Sequence, residues 1–146
     1  MRSDEFSDRE TKARAEKILS GVKTVYMGTN GSHGHPNVRA MSPSKVEGAD
    51  TLWFVADLNS SKIIELVKDS KAVIYALGPR NAAECRLWGS VTILDDEASK
   101  KMVWSDEYKK HLFPDGVNSS NMRVLRFDVS NGHYRGKGGK YGEFKN

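Results

Sequence analysis

At 146 residues, with 38% hydrophobic residues, 29% charged residues and a net charge of +4, the chain has the length of one domain with a substantial core. No apolar run nears the roughly 18 residues of a membrane helix, and MRSDEFSDRETK carries no apolar signal region. A lone cysteine, Cys85, excludes an internal disulfide, argues against a cysteine-based metal site and fits a cytoplasmic protein. Half of the net charge falls in residues 137–146 and the other basic residues are scattered. A nucleic-acid binder would show a basic stripe interleaved with aromatics, so that class stays open with little support from the sequence.

Ser7 or Asp8 can cap a first helix reaching about Leu19, with Ala13, Ala15, Ile18 and Leu19 among many charges and Gly21 ending it. It reads as a cover with no chemistry of its own. Lys23–Thr29 is a strand, Asn30-Gly31 signals a hairpin connection, and Asn37–Ser42 is the return strand. His33 and His35 lie in that connection without a nearby carboxylate or thiol, an incomplete metal site, so no metal is expected. Arg39 sits in mid-strand; it either faces solvent from an edge or aims a planar, permanently charged donor at an anion.

The next stretch, TLWFVADLNSSKIIELVKD at 51–69, organises the rest. Leu52, Phe54 and Ala56 alternate with Trp53, Val55 and Asp57, as in a strand. A helix follows, with Ile63, Ile64, Leu66 and Val67 on its apolar side. Between them, Asn59-Ser60-Ser61-Lys62 gathers hydroxyls, free first-turn amides and an ammonium where the helix dipole favours an anion such as phosphate. The plainer alternative is a helix cap at Asn59 or Ser60 with a solvated lysine.

Ala72–Leu77 is a near-continuous apolar run, fitting a strand buried on both sides, and Gly78–Asn81 is a turn. Glu84–Leu94 is a long strand broken by Gly89, either a bulge or a close approach to the backbone. Cys85 falls on its apolar face and reads as packing. Asp95-Asp96 opens a helix with Met102, Val103 and Trp104, the last a candidate dimer contact; a further helical turn ends at Phe113–Gly116. Met122–Val129 is the final strand, with His133–Arg135 extending it past an Asn131-Gly132 turn signal. Residues 137–146, rich in glycine and lysine, read as a flexible tail after a single domain at 1–136. Hairpin-linked strands of this kind predict a mainly β fold, a six-stranded antiparallel split barrel of Greek-key type with flanking helices. No GxGxxG or Walker loop is present.

The runs GHPNVRAMS at 34–42, LWFVADLNSSKIIEL at 52–66 and CRLWGSVTIL at 85–94 resemble the pyridoxamine 5′-phosphate oxidase-like, flavin-binding split-barrel superfamily. The acidic helix, the Trp104–Gly116 stretch and MRVLRFDV resemble its general stress protein branch. The resemblance implies a homodimer binding FMN in a cleft at its interface, with a deazaflavin or haem as alternative occupants. It implies that Arg39, Ala40, Met41 and Ser42 lie along the isoalloxazine and ribityl chain, and that the strand through Phe54, Val55 and Ala56 reaches the same group by its backbone. Ser60, Ser61 and Lys62 would hold the phosphate, with Glu84 and Trp88 close to the ring.

Ser61 stands where the oxidases carry an arginine, so either Arg39 compensates or affinity is lower. The oxidases' C-terminal tryptophan and arginine have no counterpart, so pyridoxamine phosphate oxidation itself is not expected. The resemblance leaves a flavin-dependent oxidoreductase acting on an unknown small molecule beside a flavin-binding or flavin-sensing stress protein without turnover. A nucleic-acid or protein interaction module using the basic tail is a third reading. No residue is assigned a catalytic role, since no acid–base dyad is recognisable.

Overall fold

A computed structural model describes residues 5–146; the part of the domain expectation that falls on residues 1–4 lies outside them. The elements are α1 (Asp8–Gly21), β1 (Val25–Asn30), β2 (Pro36–Met41), β3 (Lys45–Glu47), β4 (Thr51–Asp57) and α2 (Ser61–Lys68). Then come β5 (Lys71–Leu77), β6 (Glu84–Leu94), α3 (Glu97–Val103), α4 (Glu107–His111), β7 (Met122–Arg135) and β8 (Tyr141–Lys145). The strands form one antiparallel sheet in the order β2-β1-β5-β6-β7-β4-β3, with β8 also paired to β7. Mainly antiparallel β structure with a few helices is therefore as expected. The strand number differs from the expected six: eight are present among the described residues, because β3 is too short to carry a pattern and β8 lies in the glycine-rich tail.

Strand alternation sorts the side chains cleanly. Val25 and Met27 of β1, Ile74 and Ala76 of β5, Cys85 and Leu87 of β6 and Phe127 of β7 all point into one core with Leu52, Phe54 and Ala56 of β4. The other face of β4 packs Trp53 and Val55 against a smaller cluster of Val103, Phe113, Met122 and Val124, roofed by α3 and the segment after it. The outward side chains of β5, Val73, Tyr75 and Leu77, are half-buried, so that strand is fully covered only on its inner side. Cys85 is fully buried, and burial with the neighbouring Glu84 carboxylate pushes its thiol up to about 12. It is packing, as its pattern indicates.

Residues 137–146 are the clearest departure from expectation. After a turn, β8 pairs with Asn131–Arg135 of β7, and Phe144 is 2% exposed. Gly132 explains both findings: a Cβ there would lie 2.4 Å from Cε1 of Phe144, so the missing side chain is the seat of that ring. Asn131-Gly132 is consequently not a turn, because β6 and β8 pair with it from both sides. Helix α1 completes this end, capped by Ser7, which accepts from the Glu10 N–H at 3.2 Å, and burying Thr11, Ala15, Ile18 and Leu19.

The β5–β6 connection holds the two non-glycine residues with left-handed backbone among the described residues, Arg80 at φ 59° and Asn81 at φ 57°. Asparagine tolerates that region; arginine pays roughly 1–2 kcal/mol there. Arg80→Gly is therefore expected to stabilise the fold by about 0.5 kcal/mol, after the extra entropy of glycine in the unfolded chain is subtracted. A urea midpoint that is unchanged or lower would contradict this.

Candidate functional site

Strand β4 delivers the chain to the α2 N-terminus. Asp57 anchors the turn: its Oδ1 accepts the Asn59 N–H at 2.8 Å, and its carbonyl accepts the Ser60 N–H at 3.0 Å and the Ser60 hydroxyl at 2.8 Å. Ser60 occupies the N-cap position, yet its hydroxyl turns back to Asp57 and makes no cap bond. Among the described residues the amides of Ser61 and Lys62 have no acceptor, and the Lys62 ammonium has no ion-pair partner. Lys62 is half-buried, and its pKa is held below the usual lysine value by burial and then by the Arg39 guanidinium, against the opposing pull of the Asp57 carboxylate. Two free amides, an unused cap and a desolvated cation beside a second cation form a donor set that suits phosphate.

One turn further on lies a group that the sequence pattern conceals. Glu65 is 3% exposed on the side of α2 that packs toward β1. Its Oε1 accepts from the Thr29 hydroxyl at 2.8 Å and from Nη2 of Arg39 at 2.9 Å, and its Oε2 accepts from the Asn37 amide. Nη1 of Arg39 donates to the Thr29 hydroxyl at 2.7 Å. The bond from Thr29, then those from Asn37 and Arg39, hold this carboxyl below its ordinary range although burial opposes them. Ile64 and Val67, assigned to the apolar side of this helix, are instead 55% and 73% exposed. The helix is turned so that Ile63, Glu65 and Leu66 face inward, because a carboxylate with this many donors meets the half-buried Arg39. Helical periodicity counts apolar residues and cannot weigh an ion pair across 26 residues.

Arg39 is thus held at Glu65 and not turned to solvent. Of its neighbours, Ala40 and Ser42 are exposed and Met41 is buried in the core. Phe54 and Ala56 are buried in the main core and Val55 packs beneath α3, so none of the three offers a free side chain. Their backbone is another matter. Strand β3 covers β4 only as far as Trp53, whose carbonyl accepts from Ser44 N–H at 2.7 Å. By alternation the Val55 N–H and C=O point to the same side, past the end of β3.

The structure therefore brings Ser60, Ser61 and Lys62 together with Arg39, through Glu65. It does not bring Glu84 or Trp88 to them within one chain. Both stand on the outward face of β6 with Arg86. Glu84 accepts from the Tyr75 hydroxyl, faces Arg135 at 3.6 Å and lines a cavity of about 630 Å³ beside the Gly136–Gly139 turn. Trp88 lies across from Val73 and lines a shallow cavity of about 250 Å³ with Gly28 and Thr29. His33 and His35 are exposed, and no three His, Cys, Asp or Glu side chains gather as metal ligands among the described residues. Among the same residues no helix is long and apolar enough to cross a membrane.

A continuous antiparallel sheet with a cationic, uncapped helix start after its fourth strand defines the class, and comparison with known proteins gives the family. The chain belongs to the pyridoxamine 5′-phosphate oxidase-like family, whose model matches residues 10–142. Its structural neighbours include general stress protein 26 homologues. A protein related to general stress protein 26 of B. subtilis, from Clostridium acetobutylicum, is 29% identical with a TM-score of 0.83, over 95% of this chain and 96% of that one. General stress protein 26 from Bacillus anthracis is 18% identical with a TM-score of 0.73, over 89% and 95%. A haem-binding protein from Mycobacterium smegmatis is 14% identical with a TM-score of 0.76, over 92% of this chain and 57% of that one. A search of curated proteins returned no match.

Proposed function

We propose that the protein binds FMN and acts as a flavin-dependent oxidoreductase on a small molecule, as a cytoplasmic homodimer. The observation that carries this reading is the start of α2, where an uncapped helix presents free amides and an unpaired, half-buried Lys62. The phosphate would rest on the Ser61 and Lys62 amides and the Lys62 ammonium, with the Val55 backbone and strand β2 beside the rest of the cofactor. When bound, FMN supplies hydride and electron transfer, and the protein supplies orientation and electrostatics. Because Arg39 is paired with Glu65, its role is to fix β2 against α2 and add field, leaving the phosphate charge mainly to Lys62. Glu84 and Trp88 would reach a flavin at this turn only from a second copy. A dimer through the outward sheet face, where Val38 is 72% and Tyr26 41% exposed, supplies one.

The test is a flavin fluorescence titration. FMN is expected to bind at micromolar concentration or tighter, with riboflavin and the Lys62→Ala variant both weaker by about tenfold or more, as loss of a charge-assisted phosphate contact requires. Absence of binding by the wild-type protein at micromolar FMN would sink the proposal. If FMN binds, reduction by NADH or NADPH separates an oxidoreductase from a flavin carrier, and light scattering gives the oligomeric state.

A further inference from the structure

Away from the α2 turn, a cavity of about 530 Å³ opens between the C-terminal half of α1 and the β5–β6 connection. Its floor is apolar, made by Ile18, Leu77 and Tyr134, while Arg14, Lys17 and Lys23 stand around it. No aspartate or glutamate lines it, and among the described residues none of the three cations has an ion-pair partner. Arg14 is steadied from below, its guanidinium 4.2 Å from the Phe6 ring centroid. One cation can offset the carbonyl end of α1; three around a cavity without a carboxylate leave a surplus. The volume lies within the roughly 300–1,000 Å³ of small-molecule sites, which pair an apolar lining with a few placed polar groups.

We infer that this cavity is a second ligand site, for a small amphipathic anion: an apolar body of up to about two fused rings bearing one carboxylate, sulfonate or phosphate. The body lies on Ile18, Leu77 and Tyr134, and the anionic head meets Arg14, Lys17 and Lys23. The site shares no residue with the proposed flavin turn, so the two can fail separately.

The probe is 8-anilinonaphthalene-1-sulfonate, titrated by fluorescence into the full-length protein, with uncharged N-phenyl-1-naphthylamine as its nearly isosteric control. Lys17→Gln/Lys23→Gln, both at exposed positions, is expected to weaken the sulfonate by about fivefold and leave the neutral dye within about twofold. Ala82→Trp, exposed at the cavity edge, is expected to remove both dyes, and saturating FMN to displace neither. Circular dichroism checks that each variant folds. Sulfonate binding that survives Ala82→Trp, that ignores the lysine substitutions, or that never reaches one equivalent overturns the inference. The first of these outcomes would place the dye elsewhere, for example on the outward sheet face.

Discussion

Glu65→Leu is expected to lower the free energy of unfolding by about 2–3 kcal/mol, toward the lower end for breaking an inaccessible ion pair because the network lies near the surface of a small domain. The substitution adds apolar bulk at a buried helix position, so a pattern-based expectation would be a gain. The loss arises because Arg39, with a side chain only 20% exposed, would keep its charge without its carboxylate, and Thr29 and Asn37 would lose their acceptor. Arg39→Met combined with Glu65→Leu is expected to recover most of the loss, since removing both partners leaves no orphan. Urea unfolding of the two single variants and the double variant measures this directly. A single variant within about 0.5 kcal/mol of wild type would show the network to be energetically idle. The pH dependence has a definite sign. A carboxyl held below its ordinary value contributes fully above the unfolded-state pKa of about 4.5 and loses that contribution as pH falls through the folded value. The gap between wild type and Glu65→Leu should therefore be flat near neutrality and close in acid.

Gly89→Ala is the second large effect, expected to cost about 3 kcal/mol or more. A Cβ at Gly89 would lie 2.1 Å from the Asp128 carbonyl oxygen and 3.1 Å from Cζ of Phe127. The first of these is backbone in the neighbouring strand and cannot rotate away. The pairing of β6 and β7 shifts register between Trp88 and Gly89, so the methyl group would strike the longest strand pair at its bulge. Gly21→Ala, at the end of α1 with nothing within 4 Å of the added carbon, serves as the contrasting control and should be close to neutral. Equal destabilisation by both would mean that crowding at the bulge is not the cause.

Gly89 also illustrates how much the sequence reveals. A glycine inside an alternating strand points to either a bulge or a close approach, and the structure has both. The β4 alternation and the polar Asn59–Lys62 turn were equally legible, because strand period, cap residues and dipole preference are local properties. Glu65 was not, since its partners Thr29, Asn37 and Arg39 lie 26 to 36 residues away and nothing in SSKIIELVK marks a glutamate among isoleucines as the inward one. The tail hid for a related reason. Glycine and lysine indicate flexibility by composition, yet one phenylalanine and a gap at Gly132 on the neighbouring strand suffice to order it. Glu84 and Trp88 enter through the family resemblance, and alternation adds only that they share the outward face of β6 with Arg86.

Helix α1 precedes the strands but packs on β5, β6, β7 and β8, all of which lie at residue 71 or beyond. Its inward stripe of Ala15, Ile18 and Leu19 emerges from the ribosome well before the surfaces that will cover it. Folding must then close long loops to bring β7 and β8 back onto α1, a topology that favours slow completion. Until β8 pairs and Phe144 seats on Gly132, the folding chain carries an uncovered helix and an unpaired edge at Asn131–Arg135 of β7, the kind of edge that templates association between chains.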